Sequence, residues 1–287
     1  MIKKIFVILI LFFVAKPCYA IKIGLITDSK KVVVGTSVAG KIIDTKTNTT
    51  VYDLEKMKAY EIANIDNSIA IKINGRYTPI SANEIVIRPM ESGFVSAKRL
   101  WYRGVLRLKA EDKNLIVVND VPIEDYLKGV VSKEMIPSWE KEALKAQAIA
   151  ARSYTIANMG KRATLGFDLN DTTEDQAYGG ASAETKKTNT AVEDTKGIVL
   201  THNERIIKAF YFASAGGKTR NSIWGRDLPY LHSVPSFDDE IGKKGHGVGM
   251  SQYGANYLAK KGHDAYQILS YFYNNVGFAR TNPQVYH

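Results

Sequence analysis

Apolar positions follow two different periods along the chain. From residue 21 to about 95 they come in short β-branched runs: Ile21-Lys22-Ile23-Gly24-Leu25-Ile26, Lys31-Val32-Val33-Val34, Ile69-Ala70-Ile71-Lys72-Ile73 and Glu84-Ile85-Val86-Ile87-Arg88. Asp66-Asn67 and Asn74-Gly75 stand among them as turn formers. Side chains branched at Cβ suit a pleated surface, so these runs predict strands. The segment 21–95 reads as a small β-rich module. Leu100 to Ala110 and Leu115 to Val118 continue as a hairpin, with Glu111 to Asn114 as its turn.

Beyond residue 120 the spacing becomes helical. Pro122 to Leu127 predicts a short helix, with proline in the first turn and Glu124 and Asp125 near the positive end of the dipole. Ser138 is placed to cap a longer helix that runs to about Met159 and stops at Gly160. Two further helices are expected over Ser251–Lys260 and Ala265–Tyr273, with strands Gly197–Leu200 and Arg205–Ala213 before them. Strands and helices segregate rather than alternate, so the expected class is α+β. A mixed domain over 96–280 would follow the β-rich module.

Residues 1–20 read as a signal peptide. Lys3 and Lys4 precede an apolar run from Ile5 to Ala15, and Cys18-Tyr19-Ala20 supplies small residues at a cleavage site. The run is short for a bilayer span, which takes roughly 20 residues. Export to the cell envelope follows as the expected localisation, and membrane attachment is expected only if the segment is retained.

Composition then sharpens the picture. The 287 residues are 45% hydrophobic and 24% charged, with a formal charge of +10 and one cysteine. These values exclude a disordered chain or a polytopic membrane protein, and one cysteine excludes an intrachain disulfide. Loss of residues 1–20 removes Cys18, Lys3, Lys4 and Lys16, leaving 36 basic against 29 acidic residues, a net +7. For an exported chain the matching anion is an envelope polymer rather than nucleic acid.

Several chemistries are missing from the sequence. Gly245-His246-Gly247-Val248-Gly249 lacks the Lys-Ser/Thr of a phosphate loop and the spacing of a dinucleotide turn. Gly249-Met250-Ser251-Gln252-Tyr253 misses the last glycine of a nucleophile elbow. The five histidines lie 14 or more residues apart with no H-E-x-x-H pair, and no metal site or cofactor is expected.

Four segments remain as carriers of chemistry. Glu134 sits among Val131, Met135, Ile136 and Trp139. A carboxyl half-buried there would have a raised pKa and suit a general acid, whereas one paired with Lys133 would be ordinary surface. The alanine-rich stretch Glu140–Met159 is a thin helix carrying Lys145 and Arg152, read either as solvated charge or as the basic face of a cleft. Ala213 to Thr219 is a tight turn or a backbone wall that a ligand approaches closely. Gly245 to Ala255 feeds a glycine-rich turn with a histidine into a helix capped by Ser251.

In this order these segments resemble the stage II sporulation protein D/LytB domain family, over roughly residues 99–275. The resemblance is carried by Tyr126-Leu127-Lys128-Gly129-Val130-Val131, Glu134-Met135, Pro137, Glu142 to Tyr154, Gln176, Tyr178-Gly179-Gly180, Ser214 with Gly216-Gly217, and Gly245 to Ala255. It implies a secreted peptidoglycan enzyme, a lytic transglycosylase that cuts glycan strands lacking stem peptides, with its catalytic glutamate at Glu134. It implies substrate-binding roles in a cleft for Lys145, Arg152, Gln176, Tyr178, Ser214, Gly216, His246, Ser251, Gln252 and Tyr253. LytB-type relatives are instead modifiers of a wall amidase, and a wall-binding module is the third reading. Some family members bind zinc through a cysteine near the position of Gln176. Here Asp175 precedes it, so zinc is not carried over. The stretch Ser236–Lys244 before the histidine loop is shorter than in many members.

Overall fold

A computed structural model describes residues 20–80, 82–223 and 225–281. The segment read as a signal peptide, apart from Ala20, lies outside the described residues. The fold is α+β, β-rich at its N-terminal end and mixed after it.

Among the described residues, twelve strands precede the first helix: β1 (Ala20–Ser29), β2 (Lys31–Thr36), β3 (Gly40–Asp44), β4 (Thr50–Leu54), β5 (Tyr60–Ile65), β6 (Ser68–Ile73), β7 (Arg76–Pro79), β8 (Glu84–Pro89), β9 (Val95–Ala97), β10 (Leu100–Tyr102), β11 (Val105–Glu111) and β12 (Asn114–Pro122). With β13 (Leu169–Asn170) they form a seven-stranded sheet, ordered β13-β1-β12-β11-β8-β3-β4, and a six-stranded sheet, ordered β10-β9-β2-β5-β6-β7. The larger sheet draws on both sides of residue 95, since β8 pairs with β11 and β1 with β12. The expected hairpin is β11–β12. Asp112 and Lys113 form its tip, both at positive φ, which matches the right-handed twist of the strands they join. Alternate residues of β11 and β12 are buried, among them Leu106, Leu108, Leu115 and Val117, and they belong to one continuous core with Ile62, Ile69 and Ile71 of the second sheet.

The helices are α1 (Ile123–Glu134), α2 (Lys141–Ala157), α3 (Lys186–Asp194), α4 (Gln252–Lys260) and α5 (Ala265–Phe272). The first is twice the expected length, so Glu134 ends a helix rather than standing between two. Gly129 permits this: a Cβ there would come within 2.6 Å of the Tyr178 ring, so the helix face can lie flat on that tyrosine. Helix α2 begins three residues after Ser138, and its N-cap is Glu140. Residues 136–139 close a turn instead, with Trp139 N–H donating to the Ile136 carbonyl. Nearly every residue of α2 from Ala143 to Thr155 is buried, because α1, α3, α4, α5 and the strand Ile198–His202 surround it. Alanines keep it thin enough for that. Helix α3 carries a capping box between Thr185 and Thr188.

Candidate functional site

Glu134 is half-buried at the C-terminal end of α1. Its Oε1 accepts a hydrogen bond from Ala177 N–H at 2.7 Å, and its Oε2 accepts a longer one, 3.4 Å, from Gln252 Nε2. Burial pushes its pKa up, and only these two bonds pull the other way. Among the described residues no cation does so, and Lys133 forms no ion pair with it. The carboxyl opens on a pocket of about 600 Å³ whose wall includes Tyr154, Asp175, Tyr211, His246 and Gln252.

The opposite wall is held by the glycine-rich loop. Tyr211-Phe212 pairs in parallel with Met250-Ser251, which brings the loop 245–249 beside residues 210–212. Gly249 has φ +80°, and a Cβ there would stand 2.1 Å from the Phe210 carbonyl oxygen, so the close approach needs glycine. His246 packs against Phe210 and Phe212. Burial depresses its pKa, so the ring is neutral at pH 7. Its Nδ1 accepts from Val248 N–H at 3.1 Å. His246 forms part of the pocket wall, with its Nδ1 engaged by the loop's own backbone.

Asp175 sits across the same pocket with its carboxylate committed. It accepts from Asn170 N–H and Arg162 Nε, at 2.8 and 2.7 Å, and from Lys161 Nζ. Burial would raise its pKa, but these bonds outweigh burial and hold it low. Glu174 is exposed and paired with Arg162. The pocket therefore presents one carboxyl with a raised pKa, Glu134, beside two carboxylates held in ion pairs, Asp175 and Glu174.

Of the residues that the sequence singles out, Glu134, His246 and Gln252 meet at this pocket. Gln176 and Tyr178 stand behind it. Gln176 is buried and its amide is fully used: Oε1 accepts from Thr155 Oγ1 and Tyr126 Oη, and Nε2 donates to the Ala151 carbonyl and Tyr211 Oη. It thereby fixes the strand of chain that aims Ala177 N–H at Glu134. The Tyr178 hydroxyl donates to Asn119 Oδ1. Ser251 caps α4 by accepting from Gly254 N–H, which sets the direction of Gln252. The Tyr253 ring meets Trp139 edge-on, 4.8 Å between centroids. Gly216, at φ +69°, packs on Gly242 and Lys243, and Ser214 Oγ accepts from its N–H.

Lys145 and Arg152 do not line the pocket. Lys145 pairs with Glu142 at 2.8 Å. Arg152 is fully buried, forked onto Glu124 at 2.9 and 2.7 Å and donating to the carbonyls of Ile198 and Val192. It ties α2 to α1, α3 and the following strand.

Asp238 is a residue that sequence reasoning missed. Its buried carboxylate accepts four hydrogen bonds, from Ala215 N–H and Gly217 N–H at 2.8 Å each and from Ser236 Oγ and Ser251 Oγ at 2.6 Å each. Burial works to raise its pKa, but the four donors prevail and the group is held below the ordinary carboxylate range. The backbone wall at Ala213–Thr219 is thus filled by an anion of the chain itself. The available signal was Ser236-x-Asp238 in a stretch that looked like a spacer.

Residues 111–202 match the family model SpoIID, described as a Stage II sporulation protein. That span contains Glu134 and Gln176 and ends before the His246 loop. Among curated proteins, the chain is 34% identical over 175 residues to an uncharacterised protein of Brachyspira hyodysenteriae, covering 59% of this chain and 46% of that one. It is 29% identical to the Stage II sporulation protein D of Bacillus subtilis, covering 61% of this chain and 81% of the relative. It is 48% identical over 107 residues to the amidase enhancer of Bacillus subtilis, covering 37% of this chain and 14% of that protein. The chain thus spans less than half the length of the first of these relatives.

Proposed function

From a chain that carries a SpoIID-family domain over residues 111–202, we infer an envelope protein that remodels the cell wall by cutting glycan strands, with Glu134 as its acid. The observation that carries this reading is a carboxyl whose pKa is raised by burial, free of any ion pair, at the wall of an open pocket. Ordinary glycosidases place two working carboxyl groups about the scissile bond. Here Asp175 is occupied by Lys161, Arg162 and a backbone N–H, and Glu174 is paired with Arg162. One working carboxyl suffices where the sugar supplies its own nucleophile. Glu134 would protonate the glycosidic oxygen as the C1–O bond breaks. The C6 hydroxyl of the same muramoyl unit would bond to C1 and return its proton to Glu134. Water is not consumed, and the product is a 1,6-anhydromuramoyl end. Holding the hydroxyl at the anomeric carbon supplies the proximity. Gln252 and Ala177 N–H keep the carboxyl aimed, and His246 forms the facing wall.

Mass analysis of peptide-free glycan strands incubated with the protein tests this. Anhydromuramoyl ends with the wild type and none with Glu134→Gln support it, and equal products from both sink it. The 48% identity to a protein named for enhancing an amidase favours a second reading, a non-catalytic activator of a wall amidase. Stimulation of such an amidase that survives Glu134→Gln would support that alternative. Export to the envelope rests on the pattern of residues 1–20.

A further inference from the structure

Next to the Glu134 pocket lies a larger one of about 850 Å³, and the two share Tyr154, Glu174 and Phe210 in their walls. A chain-like ligand can therefore occupy both without leaving the surface. Their charges differ. In the first, the cations Lys133 and Lys244 share the wall with three acids, Glu134, Glu174 and Asp175, the last matched by Lys161 and Arg162. In the second, Arg205, Lys208 and Arg226 line the wall, all exposed, and none of the three forms an ion pair among the described residues. The acid present there, Glu174, is already paired with Arg162. Ile207, Ile223 and Tyr230 give the same pocket an apolar floor. Its size falls in the range of about 300–1,000 Å³ usual for ligand sites.

We propose that this second pocket is an acidic-sugar subsite, in which Arg205, Lys208 and Arg226 take the carboxylate of a glycan unit next to the bond held at Glu134. The proposal rests on the glycan-cutting reading and adds to it the feature by which the strand is chosen. Three unmatched cations in a concave site concentrate positive potential. A guanidinium can meet a carboxylate through two parallel hydrogen bonds. The apolar floor suits the C–H face of a pyranose ring, which a free inorganic anion would leave uncovered. Nothing in the mechanism uses these three residues, so they set preference rather than chemistry.

The test is a titration calorimetry comparison with Glu134→Gln protein, which prevents turnover. One probe is a tetrasaccharide of alternating N-acetylglucosamine and N-acetylmuramic acid with free lactyl carboxylates. The second is the same tetrasaccharide with those carboxyls amidated, and the third is chitotetraose. The acidic probe should bind at least about tenfold tighter than either neutral one, as expected for one charge-assisted contact. The preference should weaken with salt. Adding Arg205→Gln and Arg226→Gln should bring the three affinities within about twofold and leave chitotetraose binding unchanged. Both arginines are exposed, and an unchanged melting temperature confirms the fold. Equal affinities before the arginine changes, or a preference that survives them, would overturn the subsite while leaving the glycan reading intact. Failure of all three probes to bind would overturn both.

Discussion

Replacing Asp238 by asparagine is the sharpest test of how the site is held. The carboxylate receives a backbone N–H and a hydroxyl on each oxygen. An asparagine keeps one oxygen and turns an NH2 group towards the other pair of donors. A serine hydroxyl can rotate and accept instead, but a backbone N–H cannot. Whichever way the amide lies, Ala215 N–H or Gly217 N–H is left buried against another donor. An unsatisfied buried group costs about 1–3 kcal/mol, and the surviving bonds lose their charge assistance, so the total is about 3–4 kcal/mol. Domains of ordinary stability have about 5–15 kcal/mol in hand, so the variant should remain folded. Urea unfolding followed by circular dichroism should give a lower midpoint at unchanged slope. The exposed neighbour change Glu240→Gln is the control, expected within about 0.5 kcal/mol of wild type. The deficit also has a pH signature. Asp238 has a depressed folded pKa, so its contribution is present above the unfolded value, about 3.9, and is lost as pH falls through the folded one. Wild type and D238N should converge in acid. A midpoint difference below about 1 kcal/mol at pH 7 would refute the claim that these four hydrogen bonds hold the loop.

Other outcomes follow from the same geometry. Glu134 has a raised folded pKa, so the stability it contributes is present below its unfolded value, about 4.3, and is lost as pH rises through the folded value. Glu134→Gln should therefore melt higher than wild type at pH 8 and not at pH 4, and a pH-independent difference would contradict this. Gln252→Leu removes a bond that favours the ionised Glu134, so the carboxyl should titrate at still higher pH by 13C NMR. Arg152→Ala strands Glu124 and should cost about 3–5 kcal/mol in denaturant unfolding, with the change Glu124→Ala far less than additive to it. Gly249→Ala drives a Cβ into the Phe210 carbonyl and should cost about 3 kcal/mol by the same measurement.

The period of the apolar residues made the strands, the β11–β12 hairpin and helices α4 and α5 legible, because each buries its own regular face. Ser251 was readable as a cap because the hydroxyl acts on its own helix. Helix α1 was not readable to its end. Gly129 and the β-branched Val130 and Val131 argue locally against helix, and what favours it is Tyr178, far along the chain. The strand expected over Arg205–Ala213 is broken into short pieces at 205–206 and 211–212, because the intervening residues leave their β partner and wrap the basic pocket. At the site, the apolar neighbours of Glu134 left a half-buried carboxyl and a surface one paired with Lys133 both open, and the structure shows it half-buried. Arg152 was not legible, because a buried arginine and a cleft arginine look alike on a helix until the partner is known. Here the partner is Glu124, placed by the start of α1. Asp238 was hidden for a similar reason: its four donors come from three segments.

The large sheet also constrains how the molecule reaches its native state. Strand β1 lies between β12 and β13, with Ile21 opposite Val121 and Ile23 beside Leu169. The first of the described strands is thus held by strands made much later. Closure over such separations places the molecule among slow folders of high contact order. Until β12 emerges, Ile21, Ile23 and Leu25 have no partner, and the nascent chain carries an unpaired, sticky edge. Glu134 follows β12 within one helix, so its carboxyl cannot be set in place before β1 has found its neighbour.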